Sequence, residues 1–442
     1  MLKKDRARAR GTSTCTSRQS SHALALARSV AFAIVALTVR TAFADDHAEV
    51  STEIFEEKRS GDKGGLSVIH PAADVGQDLG DHVNLDLGYS ADAVSGATSP
   101  VYQVDAVSNA TKFHDLRQQG NVALGFNGSR AHLTFTGLFG TERDYISRAI
   151  GANASIDLPG RNTTVAIAYS HSFDQVCDAD NTGLSPLEFR ALTGADPCLK
   201  TGGVEGKNDP GTTLWLPIAI DTAQATVTQN LTPTMNMQVA AYGQVLDGFL
   251  SNPYRRVKVG GNSPQENIPD ERARWSLTAR LNRYLPQLHS AAHFEARFYD
   301  DTWRVIGGNL ELGYSQYVGD SLLLFFHARV YQQSAASFFK DAFFYETESS
   351  AGAYYTGDRE LSPVRSALVG AKIALLSVAG TDHKVWGLFD RLTFDVKGDV
   401  LFLSQLPADT SMPNPEGIST EFLYGNSFFD AVILQLSLLA NY

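Results

Sequence analysis

The stretch "AVILQLSLLANY", residues 431–442, decides how the chain is to be read. Val432, Leu434, Leu436, Leu438, Ala440 and Tyr442 fall on one face of an extended chain, and Gln435, Ser437 and Asn441 on the other. Successive side chains of a strand point to opposite sides, so this spacing predicts a strand with one apolar and one polar wall. The same period recurs upstream. Leu392, Phe394, Val396, Val400 and Phe402 alternate with Arg391, Thr393, Asp395, Lys397 and Asp399, and Val83, Leu85, Leu87 and Tyr89 alternate with Asn84, Asp86, Gly88 and Ser90. These runs exceed the five or six residues usual for a soluble strand. Long strands with one apolar and one ionisable wall suit a sheet that has lipid outside and water inside.

Connection lengths point the same way. Fourteen strands are expected, starting near residues 82, 118, 130, 144, 162, 214, 235, 273, 290, 306, 321, 364, 388 and 429. Tight turns such as "NGSR" (127–130), "LPGRN" (158–162), "NLTPT" (230–234), "LPQLHS" (285–290) and "YVGDS" (317–321) carry turn chemistry. They alternate with long polar connections at 174–212, 250–271, 333–362 and 405–428. Short turns at one end and long loops at the other are the outer-membrane pattern. The expected fold class is all-β: a transmembrane up-and-down antiparallel β-barrel over residues 81–442, of about fourteen strands, with twelve and sixteen as the neighbouring even counts. Residues 45–80 lack clear alternation and are expected to form a periplasmic N-terminal segment or a partial plug.

The first 44 residues read as a signal peptide. A Lys/Arg-rich start precedes the apolar run Ser29–Val39, and "TAFA" places small residues before Asp45. No later stretch reaches the length of apolar residues that a transmembrane helix needs. The net charge of −11 argues against a nucleic-acid partner. The expected surroundings are the cell outer membrane, its lipid and the barrel assembly machinery. Cys177 and Cys198 bracket a polar stretch and, in an oxidising compartment, could close it as a disulfide or stand as two thiols. No neighbouring Cys/His set completes a metal site around them.

The inward-facing positions between 272 and 331 carry a dense set of charges. Arg272, Arg274 and Arg280 share a face with Ser276 and Thr278; His293, Glu295, Arg297 and Tyr299 follow on the next strand, then Glu311, then His327, Arg329 and Tyr331. Placed toward lipid, each charge would cost about 2–4 kcal/mol at mid-membrane, so a lumen position is expected. Two roles remain open: a ladder of cross-strand pairs that hydrates the interior, or a selectivity ring whose arginines bind small anionic solutes. Catalysis is not expected, because no serine or paired carboxylate stands near His293 or His327 in sequence.

A doubled stretch, Asp92-Ala-Val-Ser-Gly-Ala-Thr98 and Asp105-Ala-Val-Ser-Asn-Ala-Thr111, completes the motifs. The first copy resembles the acceptor motif of exported flavoproteins, in which FMN is joined by a phosphoester to the threonine, here Thr98. The preferred reading is a pair of Asp/Ser turns, which leaves the chain without a cofactor, with covalent FMN at Thr98 as the alternative. More broadly, "FLSNPYRRV" (249–257), "NIPDERARWSLTARLNRYLP" (267–286), "ARFYDDTW" (296–303), "ARVYQQSAASFF" (328–339) and "YYTGDRELS" (354–362) resemble an uncharacterised family of bacterial outer-membrane β-barrel proteins. That family is often encoded beside an FMN transferase and a thioredoxin-like protein. The resemblance implies a barrel and a possible link to periplasmic redox proteins, with no substrate attached. Its relatives tend to carry Trp-Gly after the Asp-Asp pair, where this chain has Trp303-Arg304. The expected role is a non-enzymatic channel for small polar solutes or the membrane part of an envelope redox system. The alternatives are a covalent flavin carrier and an outer-membrane enzyme.

Overall fold

The computed structural model describes residues 46–57, 66–97, 112–142, 145–177, 215–252, 265–339, 352–378, 385–405 and 430–442. They hold sixteen strands, each hydrogen-bonded antiparallel to its neighbours in sequence, in one closed barrel. The strands are β1 (His47–Glu57), β2 (Ser67–Asp78), β3 (Val83–Ala97), β4 (Lys112–Asn127), β5 (Ala131–Thr141), β6 (Tyr145–Asp157), β7 (Thr163–Cys177) and β8 (Trp215–Thr232). The circuit continues through β9 (Met235–Gly248), β10 (Glu271–Leu285), β11 (Ser290–Asp301), β12 (Ile306–Val318), β13 (Leu322–Gln333), β14 (Val364–Val378), β15 (Arg391–Gln405) and β16 (Ala431–Asn441). β1 then pairs with β16, His47 opposite Asn441 and Glu57 opposite Ala431, so no strand edge is left bare.

The fourteen expected strands correspond to β3–β16, and the count of fourteen is corrected to sixteen. The difference lies in residues 45–80, which supply β1 and β2 to the wall instead of a leader or plug. Two features hid them. In β1 the apolar Phe55 shares the inward face with Glu53, and Glu56 sits outside, which blurs the alternation. In β2, Pro71 stands mid-strand, a residue that argues against a central strand because it has no N–H to donate. The ladder to β3 accordingly skips two pairs, joining Ile69 to Ala93 and resuming at Ala72 with Ser90.

Register assigns the two faces. Leu87, Val122, Phe135, Ile150, Ile167, Val245, Leu277, Phe298, Leu310, Leu312, Val330, Val369 and Ile373 are exposed and share the outer face. Their immediate neighbours, such as Asp86, Thr136, Thr278, Arg297, Glu311 and Arg329, turn to the lumen. An apolar outside and polar inside, reversed from a soluble protein, is the alternation of a lipid-facing barrel. No described helix is long and apolar enough to cross a membrane, which does not bear on strands.

Candidate functional site

Around the circuit the lumen wall divides into three sectors. On β1–β4 it is acidic: Glu49, Glu53, Asp74, Asp86 and Asp92 face inward with His47, His70 and a single arginine, Arg117. On β5–β9 it is largely hydroxylic and amide-lined, with Asp157 and Asp174 near the strand ends bonded to Thr164 and Tyr145; Thr222 is joined to Gln244 (2.8 Å), Thr228 to Gln238 (3.3 Å) and Asn236 to Asn282 on β10 (2.9 Å). On β10–β15 it carries Arg272, Arg274, Arg280, Arg297, Arg329, Lys372 and Lys397 among a smaller set of carboxylates. β11 lies eight strands from β3 in a ring of sixteen, so the basic and acidic walls face each other across the lumen.

All nine residues of the expected charge cluster lie on this third wall, Arg272 at its long-loop end and the other eight in two groups. Arg280 donates to Glu295 at 2.5 Å, a cross-strand pair. Arg274 turns to Gln244 on β9 instead of to a carboxylate. Arg297 and Arg329 are exposed to the lumen and make no hydrogen bond or ion pair among the described residues. They are therefore the guanidinium groups free to meet a solute.

The second group lies along one hydrogen-bonding row: Asn282, His293, Gly313, His327, Gly370 and Asp399. His293 leans over Gly313, and His327 and Asp399 lean over Gly370; a Cβ at either glycine would run into those side chains. The rings of His293 and Phe325 stack at 5.0 Å, and those of Phe325 and His327 at 5.3 Å. His327 Nε2 is 2.8 Å from Asp399 Oδ1, Glu311 Oε1 stands 3.6 Å from Nδ1, and Lys397 Nζ reaches Asp399 Oδ2 at 2.9 Å. The side chains of His327 and Asp399 are only 7% and 5% exposed, so this is a closed structural network, not a solute-facing group. Among the described residues neither histidine bonds a serine, threonine or cysteine. The sequence contained one signal for this row: glycines alternating with long polar residues at inward positions.

The long-loop end of the same wall is closed by a compact cap. Ile268, Trp303, Val305, Ala336, Phe338, Phe339 and Leu361 form its core, drawn from three different connections. Beneath it the fully enclosed Asp301 carboxylate accepts from Arg272 (2.5 Å), Tyr299 Oη (2.8 Å) and the Val305 N–H (2.9 Å). The Arg272 guanidinium also stands 4.2 Å above the Trp303 ring, whose Nε1 donates to the Glu271 carbonyl. Glu266 ties two connections together, accepting from the Asn252 N–H and from Thr356 Oγ1, both at 2.7 Å.

Cys177 ends β7, fully buried and disulfide-bonded; Cys198 lies outside the described residues. Thr98, the alternative candidate for FMN attachment, falls one residue beyond β3 and outside the described residues, as does the expected signal segment 1–44.

A family model described as "Protein of unknown function (DUF3570)" matches residues 18–384. The chain belongs to this family. The DUF3570 motifs singled out in the sequence supply most of the cap: Ile268, Trp303, Phe338, Phe339, Thr356 and Leu361 all fall within them. The departure from Trp-Gly also gains a physical meaning. Arg304 sits at φ 73°, the left-handed region that favours glycine. Arg304→Gly should therefore stabilise the cap turn by about 1 kcal/mol, read as a raised unfolding midpoint; an unchanged or lowered midpoint would refute this.

No curated protein matches the sequence. Solved structures resembling the DUF3570 chain include a bacterial polysaccharide outer membrane secretin (7% identity, TM-score 0.46, covering 91% of this chain and 100% of that one). A loop-deletion mutant of OmpT, an outer membrane protein of Vibrio cholerae, matches at 6% identity and TM-score 0.41, covering 90% and 98%. OccK2 (OpdF) of Pseudomonas aeruginosa, solved with glucuronate, matches at 10% and 0.38, covering 90% and 98%. At these identities neither substrate nor partner carries across.

Proposed function

We propose that this chain is a passive outer-membrane channel, without catalytic activity of its own, for small polar solutes that carry a negative charge or charges of both signs. The observation that carries the reading is the pair of opposed lumen walls, acidic on β1–β4 and arginine-rich on β10–β13. Sixteen strands enclose a bore wide enough for water and a small solute. Opposed charges at its wall orient a dipolar solute and screen permeants by sign. The unpaired Arg297 and Arg329 are the groups expected to meet an anion, whereas Arg272 and Arg280 are already engaged. The apolar outer face supports placement in a bilayer.

Single-channel recordings in planar bilayers under a salt gradient test this. A unit charge about 7 Å from a permeating ion in water is worth about 0.6 kcal/mol, close to RT. Because the charge attracts the anion and repels the cation by the same amount, each of Arg297→Ala and Arg329→Ala should lower the anion-to-cation permeability ratio by about 7-fold, less at high salt. A chain that conducts nothing, or whose selectivity ignores both substitutions, would sink the reading.

A further inference from the structure

We infer that the acidic wall holds a binding site for a divalent transition-metal cation, with His47, Asp74 and Asp86 as its ligands. Three neighbouring strands each supply one donor from a lumen-facing position, and the ligand atoms all lie within 4.8 Å of one another. Strand positions in a closed sheet are rigid, so the set is preorganised by the wall itself.

The His47 Nε2–Asp74 Oδ1 separation is 3.4 Å. That is beyond a good hydrogen bond. It does equal the edge of a tetrahedron whose bonds are about 2.1 Å, which two ligands of one zinc-sized ion must span. The space into which the donors point has been cleared. His47 and Asp86 converge over Gly76, where an added Cβ would collide with both, and Asp74 leans over Gly88 in the same way. Asn84 Nδ2 donates to Asp86 Oδ2 at 2.8 Å, orienting that carboxylate as outer partners orient metal ligands.

Charge balance asks for a cation here. Asp74 also faces Glu49 across the β1–β2 ladder, and the inward neighbours on β4 are Asn121 and Ala123, so no lysine or arginine adjoins the cluster in register. Even a protonated His47 leaves it negative. One imidazole with two carboxylates suits zinc and its first-row neighbours; calcium and magnesium prefer oxygen alone.

Titrating the purified mature barrel in detergent with Co²⁺, then displacing it with Zn²⁺, reads the site directly. Visible Co²⁺ d–d bands at one equivalent per chain, lost on adding Zn²⁺, are expected. His47→Ala and Asp86→Asn should each weaken Zn²⁺ binding by on the order of 100-fold. Heat-modifiable gel mobility reports that each variant is folded, and the isosteric Asp86→Asn carries the test alone if His47→Ala does not assemble. Absence of the bands, or Zn²⁺ affinity unmoved by both substitutions, overturns the proposal. Because the readout is binding and not conductance, its failure leaves the channel reading standing, and the reverse.

Discussion

Asp399→Ala is expected to weaken the barrel by about 3–5 kcal/mol, the scale for deleting one partner of a buried charge pair. The carboxylate holds His327 Nε2 at 2.8 Å and Lys397 Nζ at 2.9 Å on a part of the wall that water hardly reaches. Without it, His327 keeps only Glu311, 3.6 Å from Nδ1, and Lys397 has lost its anion. Urea titration in lipid vesicles, followed by the gel shift between folded and unfolded barrel, would show the midpoint fall. A second variant separates charge loss from volume loss. Replacing His327 and Asp399 together by leucine removes the buried pair and leaves Lys397, which is 28% exposed, to water; removing both partners of a buried pair is often nearly neutral, so part of the loss should be recovered. A midpoint for Asp399→Ala equal to the wild type would show that the row is not closed as described.

Arg272→Ala should have a comparable effect, about 3–5 kcal/mol, but a local one. Asp301 would remain enclosed with only Tyr299 Oη and the Val305 N–H to meet its charge, and the Trp303 face would lose the cation above it. The cap connections should then be cut by protease much sooner than the strands below. Lysine at 272 keeps the charge yet lacks the planar fork that meets Asp301 and the ring together, so Arg272→Lys should fall between wild type and alanine. Equal cleavage rates for all three would refute a clamp at this position.

How far the sequence reveals this depends on what each pattern encodes. Alternation marks any strand whose two faces meet different media, so β3–β16 were legible, down to the turns "NGSR" and "LPGRN". β1 and β2 were not, since Pro71 interrupts a ladder that pairing from β1 still holds in place. Inward arginines and carboxylates were legible as a set, because their alternation with leucine and phenylalanine fixes their side of the wall. Their partners were not. Period two gives the face and says nothing of register, so nothing along the chain placed Asp399 beside His327, 72 positions away. The acidic wall was missed for the same reason as β1 and β2, since most of its residues sit on those strands.

The seam between β1 and β16 also bears on how the molecule comes together. Every other pairing joins strands adjacent in the chain, so the sheet can zip up hairpin by hairpin, across tight turns at one end and longer connections at the other. The seam alone joins His47 to Asn441, nearly the full chain apart. It carries the largest single loop-closure cost, and it cannot form until both strands exist. Until then the growing sheet presents two open edges able to capture another chain. Closure is therefore the step at which assembly and aggregation compete, and the fit of β16 against β1 governs the outcome.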